Sequence, residues 1–100
     1  MPPTKKEDLP QYRIFETDQF IEDIKGIKGK IQEKLYLKII NYVYPQLIQS
    51  PYYGLNIKKL KNYDPETWRY RIGDYRLFYE IDDEDKIISI IAFDSRQDAY

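Results

Sequence analysis

Residues 68–81 read WRYRIGDYRLFYEI, and this stretch decides the fold because a turn sits at its centre. Gly73 and Asp74 separate two runs of strand-forming residues, and glycine in the first turn position is typical of a two-residue type II′ hairpin. A two-residue turn fixes the register of the strands, so Arg71 must lie directly opposite Arg76. The stretch therefore predicts two antiparallel strands, which span residues 67–72 and 75–81.

The two faces of this hairpin differ in character, because opposite residues share a face and successive residues alternate. One face is nearly all apolar and is predicted to pack on helices: Trp68, Tyr70, Ile72, Tyr75, Leu77 and Tyr79. The other, which we term the arginine face, carries Arg69, Arg71, Arg76 and Phe78, with Thr67 and Glu80 further along. Like charges opposite each other cost roughly 0.2–1 kcal/mol. A bound phosphate would offset that cost because it matches the guanidinium fork. A solvated face with Glu80 or Asp64 as counter-charge is the alternative.

The rest of the chain predicts an α+β fold in the order β-α-α-β-β-β-β. Thr17 is a suitable N-cap for a first helix that follows a strand at residues 12–16. Apolar residues then recur every four positions from Ile31 to Leu47, which predicts a longer helix with a kink or a break around Tyr44, because Pro45 interrupts it. Further strands are predicted at residues 57–61 and 86–93, with turns at 62–66 and 82–85. The two N-terminal helices are expected to pack on one face of a mostly antiparallel sheet.

The composition excludes several classes of site. The chain has 100 residues, a net charge of −1, and neither histidine nor cysteine. A Ser-His-Asp triad, a histidine zinc site, a two-histidine ribonuclease mechanism and a thiol nucleophile are therefore impossible. No run approaches the roughly 18 apolar residues of a membrane span. We expect a cytoplasmic protein without cofactor or metal, with a flexible leader at residues 1–10 and a single domain at 11–100.

Three other groups of residues have candidate roles. Lys58, Lys59 and Lys61 either extend the positive surface or protect an edge strand from pairing. The acidic turn DDED at residues 82–85 lacks the glycine and spacing of a calcium loop and is interpreted as solvated. Three tyrosines are expected to be half-buried packing residues: Tyr52, Tyr53 and Tyr63.

A strand with alternating basic residues, then GDYRLFYEIDDE, an apolar strand and a terminal R-x-x-A-Y resembles the RelE/ParE superfamily of toxins from type II toxin–antitoxin systems. The match is to its RelE-type ribonuclease branch, covers residues 11–100, and is strongest in 55–82. The resemblance implies cleavage of mRNA, usually on the ribosome and without a metal. In that reaction the 2′-OH of the RNA attacks the adjacent phosphate. The resemblance also implies an antitoxin that wraps around the toxin.

By position, the resemblance makes Arg76 the main stabiliser of transition-state charge. It gives supporting roles to Arg69, Arg71 and Arg96, and a substrate contact to Tyr100. Phe78 and the three lysines are expected to bind substrate.

Two positions depart from the pattern of the branch. Ser95 stands where many relatives have histidine, and Asp94 is acidic where some are basic. Arginine accepts protons poorly, so the general base stays open among Tyr100, Glu80, Lys58 and Lys61.

Two other functions remain open from the sequence. One is a non-enzymatic toxin of the ParE branch, which inhibits DNA gyrase; the low net charge and missing histidine favour it. The other is a catalytically weak protein that keeps the fold and acts only by binding a partner or repressing its own operon.

Overall fold

The structure is a computed structural model and describes residues 11–95. The expected leader at 1–10 and two predicted site residues, Arg96 and Tyr100, lie outside the described residues. The elements in chain order are β1 (Arg13–Glu16), α1 (Asp18–Lys25), α2 (Lys30–Lys38), a π-helical segment (Ile39–Val43), α3 (Tyr44–Gln49), β2 (Ile57–Lys59), β3 (Trp68–Ile72), β4 (Tyr75–Asp82) and β5 (Ile87–Ser95). This order confirms the α+β prediction, with α2, the π-helical segment and α3 together forming the longer helix.

The five strands form one sheet in the order β1-β5-β4-β3-β2. β1 pairs with β5 in parallel, and every other pair is antiparallel. The hairpin register is as predicted, with Arg71 opposite Arg76 and Ile72 opposite Tyr75. Gly73 has a φ of +58° whereas Asp74 keeps a negative φ, which is the pattern of a type II′ turn. The turn sequence thus set the pairing of β3 with β4.

Two local features explain where α1 begins and why the second helical stretch is irregular before Pro45. The Thr17 side chain accepts a hydrogen bond from the backbone N–H of Phe20, which confirms the predicted cap of α1. Pro45 lacks an N–H, and its ring would clash with the carbonyl four residues earlier in a regular helix. The chain accommodates it with a wider π-helical turn, in which the N–H of Tyr44 bonds to the carbonyl of Ile39. The helical segments therefore follow one another without a gap, and the chain does not break at Pro45.

The core lies between the helices and the apolar face of the sheet. The helices contribute Phe20, Ile24, Ile39, Val43, Tyr44 and Leu47, and the strands contribute Tyr70, Ile72, Leu77, Tyr79, Ile88, Ile90 and Phe93. Trp68 and Tyr75 are partly buried against this cluster, as the alternation predicted. The helices therefore cover one side of the sheet and leave the arginine face on the other.

Two predictions about surface residues need correction. Tyr53 and Tyr63 are exposed rather than half-buried, at 80% and 55%. The acidic turn is not merely solvated, because Asp83 accepts hydrogen bonds from the hydroxyls of Tyr12 and Tyr52. The parallel pairing of β1 with β5 brings Tyr12 to this turn, and no local sequence pattern reveals such a contact. Within residues 11–95, no helix is long and apolar enough to cross a membrane.

Candidate functional site

The arginine face is built by three neighbouring strands. Arg69 and Arg71 alternate along β3, and Arg76 and Phe78 alternate along β4. Arg71 is the cross-strand partner of Arg76, and Arg69 is the partner of Phe78. Lys58 of β2 is the partner of Arg69 and so joins the same face. Since adjacent strands lie about 4.8 Å apart, four positive charges are held close together by backbone pairing alone.

The guanidinium groups of this face have no ion-pair partner among residues 11–95. Within residues 11–95, no carboxylate oxygen lies within 4.0 Å of a nitrogen of Arg69, Arg71 or Arg76. The Nε atoms of Arg69 and Arg76 are buried and have no hydrogen-bond partner there. Arg71 makes one long bond, from its Nε to the carbonyl of Gly73 at 3.4 Å. More than about 90% of buried polar groups in proteins are partnered, and an unpartnered one costs about 1–3 kcal/mol. This arrangement is typical of a site that awaits an anionic ligand.

The electrostatics of Arg69 agree with the geometry. Burial lowers the pKa of its guanidinium, and the positive charges of Arg71 and Arg76 lower that pKa further. Arginine nevertheless keeps its proton at neutral pH, so the face remains cationic. A bound anion would replace the repulsion among these three groups with attraction.

The three candidate lysines occupy different places. Lys58 lies on the arginine face, whereas Lys59 is the cross-strand partner of Trp68 and lies on the opposite side of the sheet. The Lys59 ammonium is also engaged by Glu66 at 3.1 Å. Lys61 follows the end of β2, in the connection to β3. Only Lys58 of the three is thus brought beside the arginines.

Phe78 provides the aromatic surface of the site. It is half-buried and lies between Arg69 of β3 and Ala92 of β5. An aromatic ring beside cationic groups suits stacking against a nucleic-acid base.

Asp94 is a member of the site that the strand pattern did not identify. It is the cross-strand partner of Arg76 on β5, and so shares its face. Its register depends on an irregularity between Phe78 and Tyr79, where β4 and β5 shift relative to each other. Glu80, an earlier candidate for proton transfer, pairs with Ser89 instead and lies four residues further along β4. The sequence contained the acidic residue but no signal that placed it opposite Arg76.

Two of the larger cavities formed by residues 11–95 lie outside the arginine face. A groove of about 790 Å³ between α1 and α2 has mainly apolar walls, including Phe20, Ile24 and Leu37. Its lining also includes the carboxylate of Glu16, which accepts hydrogen bonds from two tyrosines of the helices. A second cavity of about 520 Å³ adjoins the end of β5 and includes Asp94. Among residues 11–95, no cluster of three or more acidic side chains could hold a metal ion.

A comparison with protein families gives one match. A family model described as the ParE toxin of the type II toxin–antitoxin system parDE matches residues 14–100. A comparison with curated proteins finds no significant match.

Several solved toxin–antitoxin structures are similar to this chain. The RelBE2 complex of Mycobacterium tuberculosis matches with a TM-score of 0.64 at 25% identity, covering 86% of this chain and 99% of that one. The RelB–RelE complex of Methanococcus jannaschii matches with a TM-score of 0.60 at 25% identity, covering 86% and 94%. The intact RelBE complex of E. coli matches with a TM-score of 0.61 at 20% identity, covering 84% and 95%. At 20% identity, the E. coli match shows the fold alone.

Proposed function

Because the chain belongs to the ParE toxin family of type II toxin–antitoxin systems, within the RelE/ParE superfamily, we propose that this toxin is a ribosome-dependent mRNA endoribonuclease. It needs no metal and stops growth by inhibiting translation. Its substrate is a single RNA strand, and its active site is the arginine face. The chain's similarity to RelE structures supports the nuclease branch of the superfamily.

One observation carries this proposal. The Nε atoms of Arg69 and Arg76 are buried without a partner among the described residues, on a face with no ion pair of its own. A phosphate accepts several hydrogen bonds at once and matches the planar guanidinium. Binding an RNA backbone would therefore satisfy both donors and neutralise the repulsion between Arg71 and Arg76. Phe78 adds a surface for a base, which a purely inorganic anion would not need.

The geometry supports separate roles for the arginines and Lys58 in the reaction. The 2′-OH of one nucleotide attacks its own 3′ phosphate, which forms a 2′,3′-cyclic phosphate and releases a 5′-OH on the next nucleotide. Negative charge accumulates on the phosphoryl oxygens during the attack, and Arg71 and Arg76 are fixed where they can stabilise it. Arg69 and Lys58 bind a neighbouring phosphate. Arg96 and Tyr100 are predicted to assist from the C-terminal segment.

A cognate antitoxin is the expected protein partner. The similar structures include RelB–RelE complexes from three organisms, in which a toxin is bound by its antitoxin. An acidic antitoxin segment would complement the same unpaired arginines. Antitoxin and mRNA would then compete for one surface.

A gyrase-binding toxin is the second candidate, since the matching family model is that of ParE. The net charge of −1 also differs from a strongly basic RNA-binding protein. Under this alternative the arginine face would bind an acidic protein surface instead of RNA.

Induction of the toxin in growing cells without antitoxin distinguishes these functions. We expect growth arrest together with new mRNA 5′ ends inside reading frames, mapped by sequencing, and no early loss of plasmid supercoiling. Growth arrest with intact mRNA and DNA damage would favour the gyrase-binding function. Normal growth would favour a protein that acts only through partner binding.

Two variants connect the outcome to the site. Arg76→Ala is expected to abolish toxicity with an unchanged circular-dichroism spectrum, because loss of one charge stabiliser lowers the rate by about 10²–10³. Arg13→Ala is the matched control, since Arg13 is an exposed arginine on the far edge strand. A fully toxic Arg76→Ala protein would remove Arg76 from the active site.

A further inference from the structure

We propose that Asp94 is the general base of this active site, an inference that rests on the nuclease function proposed above. Arginines can stabilise charge, but they cannot take the proton from the attacking 2′-OH, because guanidinium has no acceptor. The site therefore needs another group with a free lone pair. Asp94 is the carboxylate that β-sheet pairing brings directly opposite Arg76.

Position distinguishes Asp94 from the other candidates within residues 11–95. Directly paired residues in an antiparallel sheet have Cα atoms about 4.5–5.5 Å apart, and Asp94 stands in this relation to Arg76. Glu80 lies four residues from Arg76 along β4, which is roughly 13 Å at strand rise. Lys58 lies two strands from β4 and two residues out of line, roughly 10 Å or more away. Both residues therefore lie farther from Arg76 along the sheet than Asp94 does.

The carboxylate of Asp94 is also not engaged by any other residue of the described range, 11–95. Within the described part of the chain, it makes no hydrogen bond and no ion pair within 4.0 Å, even with the arginine opposite it. A residue that served only as a counter-charge would be expected to form that ion pair. Asp94 is instead half-buried and without a bonding partner there, so its carboxylate oxygens are available to accept a proton.

The proton transfer balances without a further reagent. Asp94 takes the proton of the 2′-OH as the O2′–P bond forms and the P–O5′ bond breaks. The departing 5′ oxygen takes a proton from solvent water, and Asp94 later returns its own proton to solvent. The products are a 2′,3′-cyclic phosphate and a 5′-OH.

The decisive experiment compares wild type with Asp94→Asn in single-turnover cleavage of ribosome-bound mRNA at saturating toxin. If Asp94 is the base, the cleavage rate falls by about 10²–10⁴, while affinity for the programmed ribosome stays equal or rises as a negative charge is lost. If Asp94 only balances the arginines, the same variant binds more tightly and cleaves as fast or faster, which would overturn the proposal. The two roles predict opposite changes in rate.

Three further variants make the result specific. Asp74→Asn removes an exposed carboxylate from the turn between the arginine-bearing strands, and Glu80→Gln removes an acid further along β4 that is not paired with Arg76; both are expected to cleave at the wild-type rate. Asp94→Glu keeps a carboxylate and is expected to recover part of the activity, so a general loss of folding cannot explain the defect of Asp94→Asn. Absence of cleavage by wild type would refute the nuclease function itself. Normal cleavage by wild type and Asp94→Asn alike would refute only the role of Asp94.

Discussion

Replacing Arg76 with methionine is expected to stabilise the fold while it destroys activity. Arg71 directly opposite contributes roughly 0.2–1 kcal/mol of repulsion, and the unpartnered buried Nε of Arg76 costs about 1–3 kcal/mol. Methionine keeps a side chain of similar length and removes both costs. Asp94 opposite Arg76 offsets part of the repulsion in the wild type. We therefore expect Arg76→Met to raise the free energy of unfolding by about 1–2 kcal/mol.

Urea denaturation followed by circular dichroism measures this difference, since the slope of the transition reports whether the unfolded state has changed. In thermal unfolding, each kcal/mol corresponds to about 4–8 °C for a domain of this size. Arg13→Met is the matched control, because Arg13 is exposed and its cross-strand partner is Ile87 rather than a cation. It should change stability by less than about 0.5 kcal/mol. An Arg76→Met protein that is less stable than wild type would refute the view that this face carries uncompensated charge.

Three further predictions concern single contacts. The hydrogen bonds from Tyr12 and Tyr52 lower the pKa of Asp83 in the folded protein. Their contribution to the free energy of unfolding is therefore fully present above the unfolded pKa of about 3.9, and it disappears as the pH falls through the lower folded pKa. Wild type should therefore exceed Asp83→Asn in stability at pH 7, and the gap should close in acid; a constant gap contradicts the assignment. The Tyr44 hydroxyl donates to the carboxylate of Glu16 at 2.7 Å, so Tyr44→Phe should cost about 1.5–3 kcal/mol in urea denaturation, and no loss would show that the bond is unimportant. Gly73 needs its positive φ, so Gly73→Ala should cost about 1 kcal/mol or more, whereas Asp74→Ala should cost clearly less; equal losses would argue against the turn.

The hairpin was predictable because its information is local. Gly73-Asp74 fixed the register, and alternation then assigned each side chain of β3 and β4 to a face. The buried Leu77 and Tyr79 and the position of Arg76 opposite Arg71 followed without knowledge of any distant segment. An irregularity of the helix before Pro45 was predictable for the same reason, although its form as a π-helical turn was not.

The pairing of strands that are distant in sequence could not be predicted from local sequence patterns. Asp94 lies opposite Arg76 only because β4 and β5 shift register between Phe78 and Tyr79, and the acidic turn that joins them fixes no register. The face of Lys59 likewise depends on its pairing with Trp68, across a connection of several residues.

The polar contacts between distant elements were also not predictable. Tyr12 reaches the Asp83 turn because β1 joins the sheet in parallel beside β5. The parallel pairing of β1 with β5 cannot be recognised from the sequence of either strand, since side chains alternate with a period of two in parallel and antiparallel sheets alike. The candidate site was therefore predictable in its arginines and not in its carboxylate.

The most direct test of the central claim is cleavage of an mRNA in a purified translation system, with and without ribosomes, by wild type and by Arg76→Ala. We predict cuts inside the reading frame that require ribosomes and are lost in Arg76→Ala. Intact mRNA with the wild-type toxin would contradict the nuclease function, and the unpaired arginines would then require a different anionic partner.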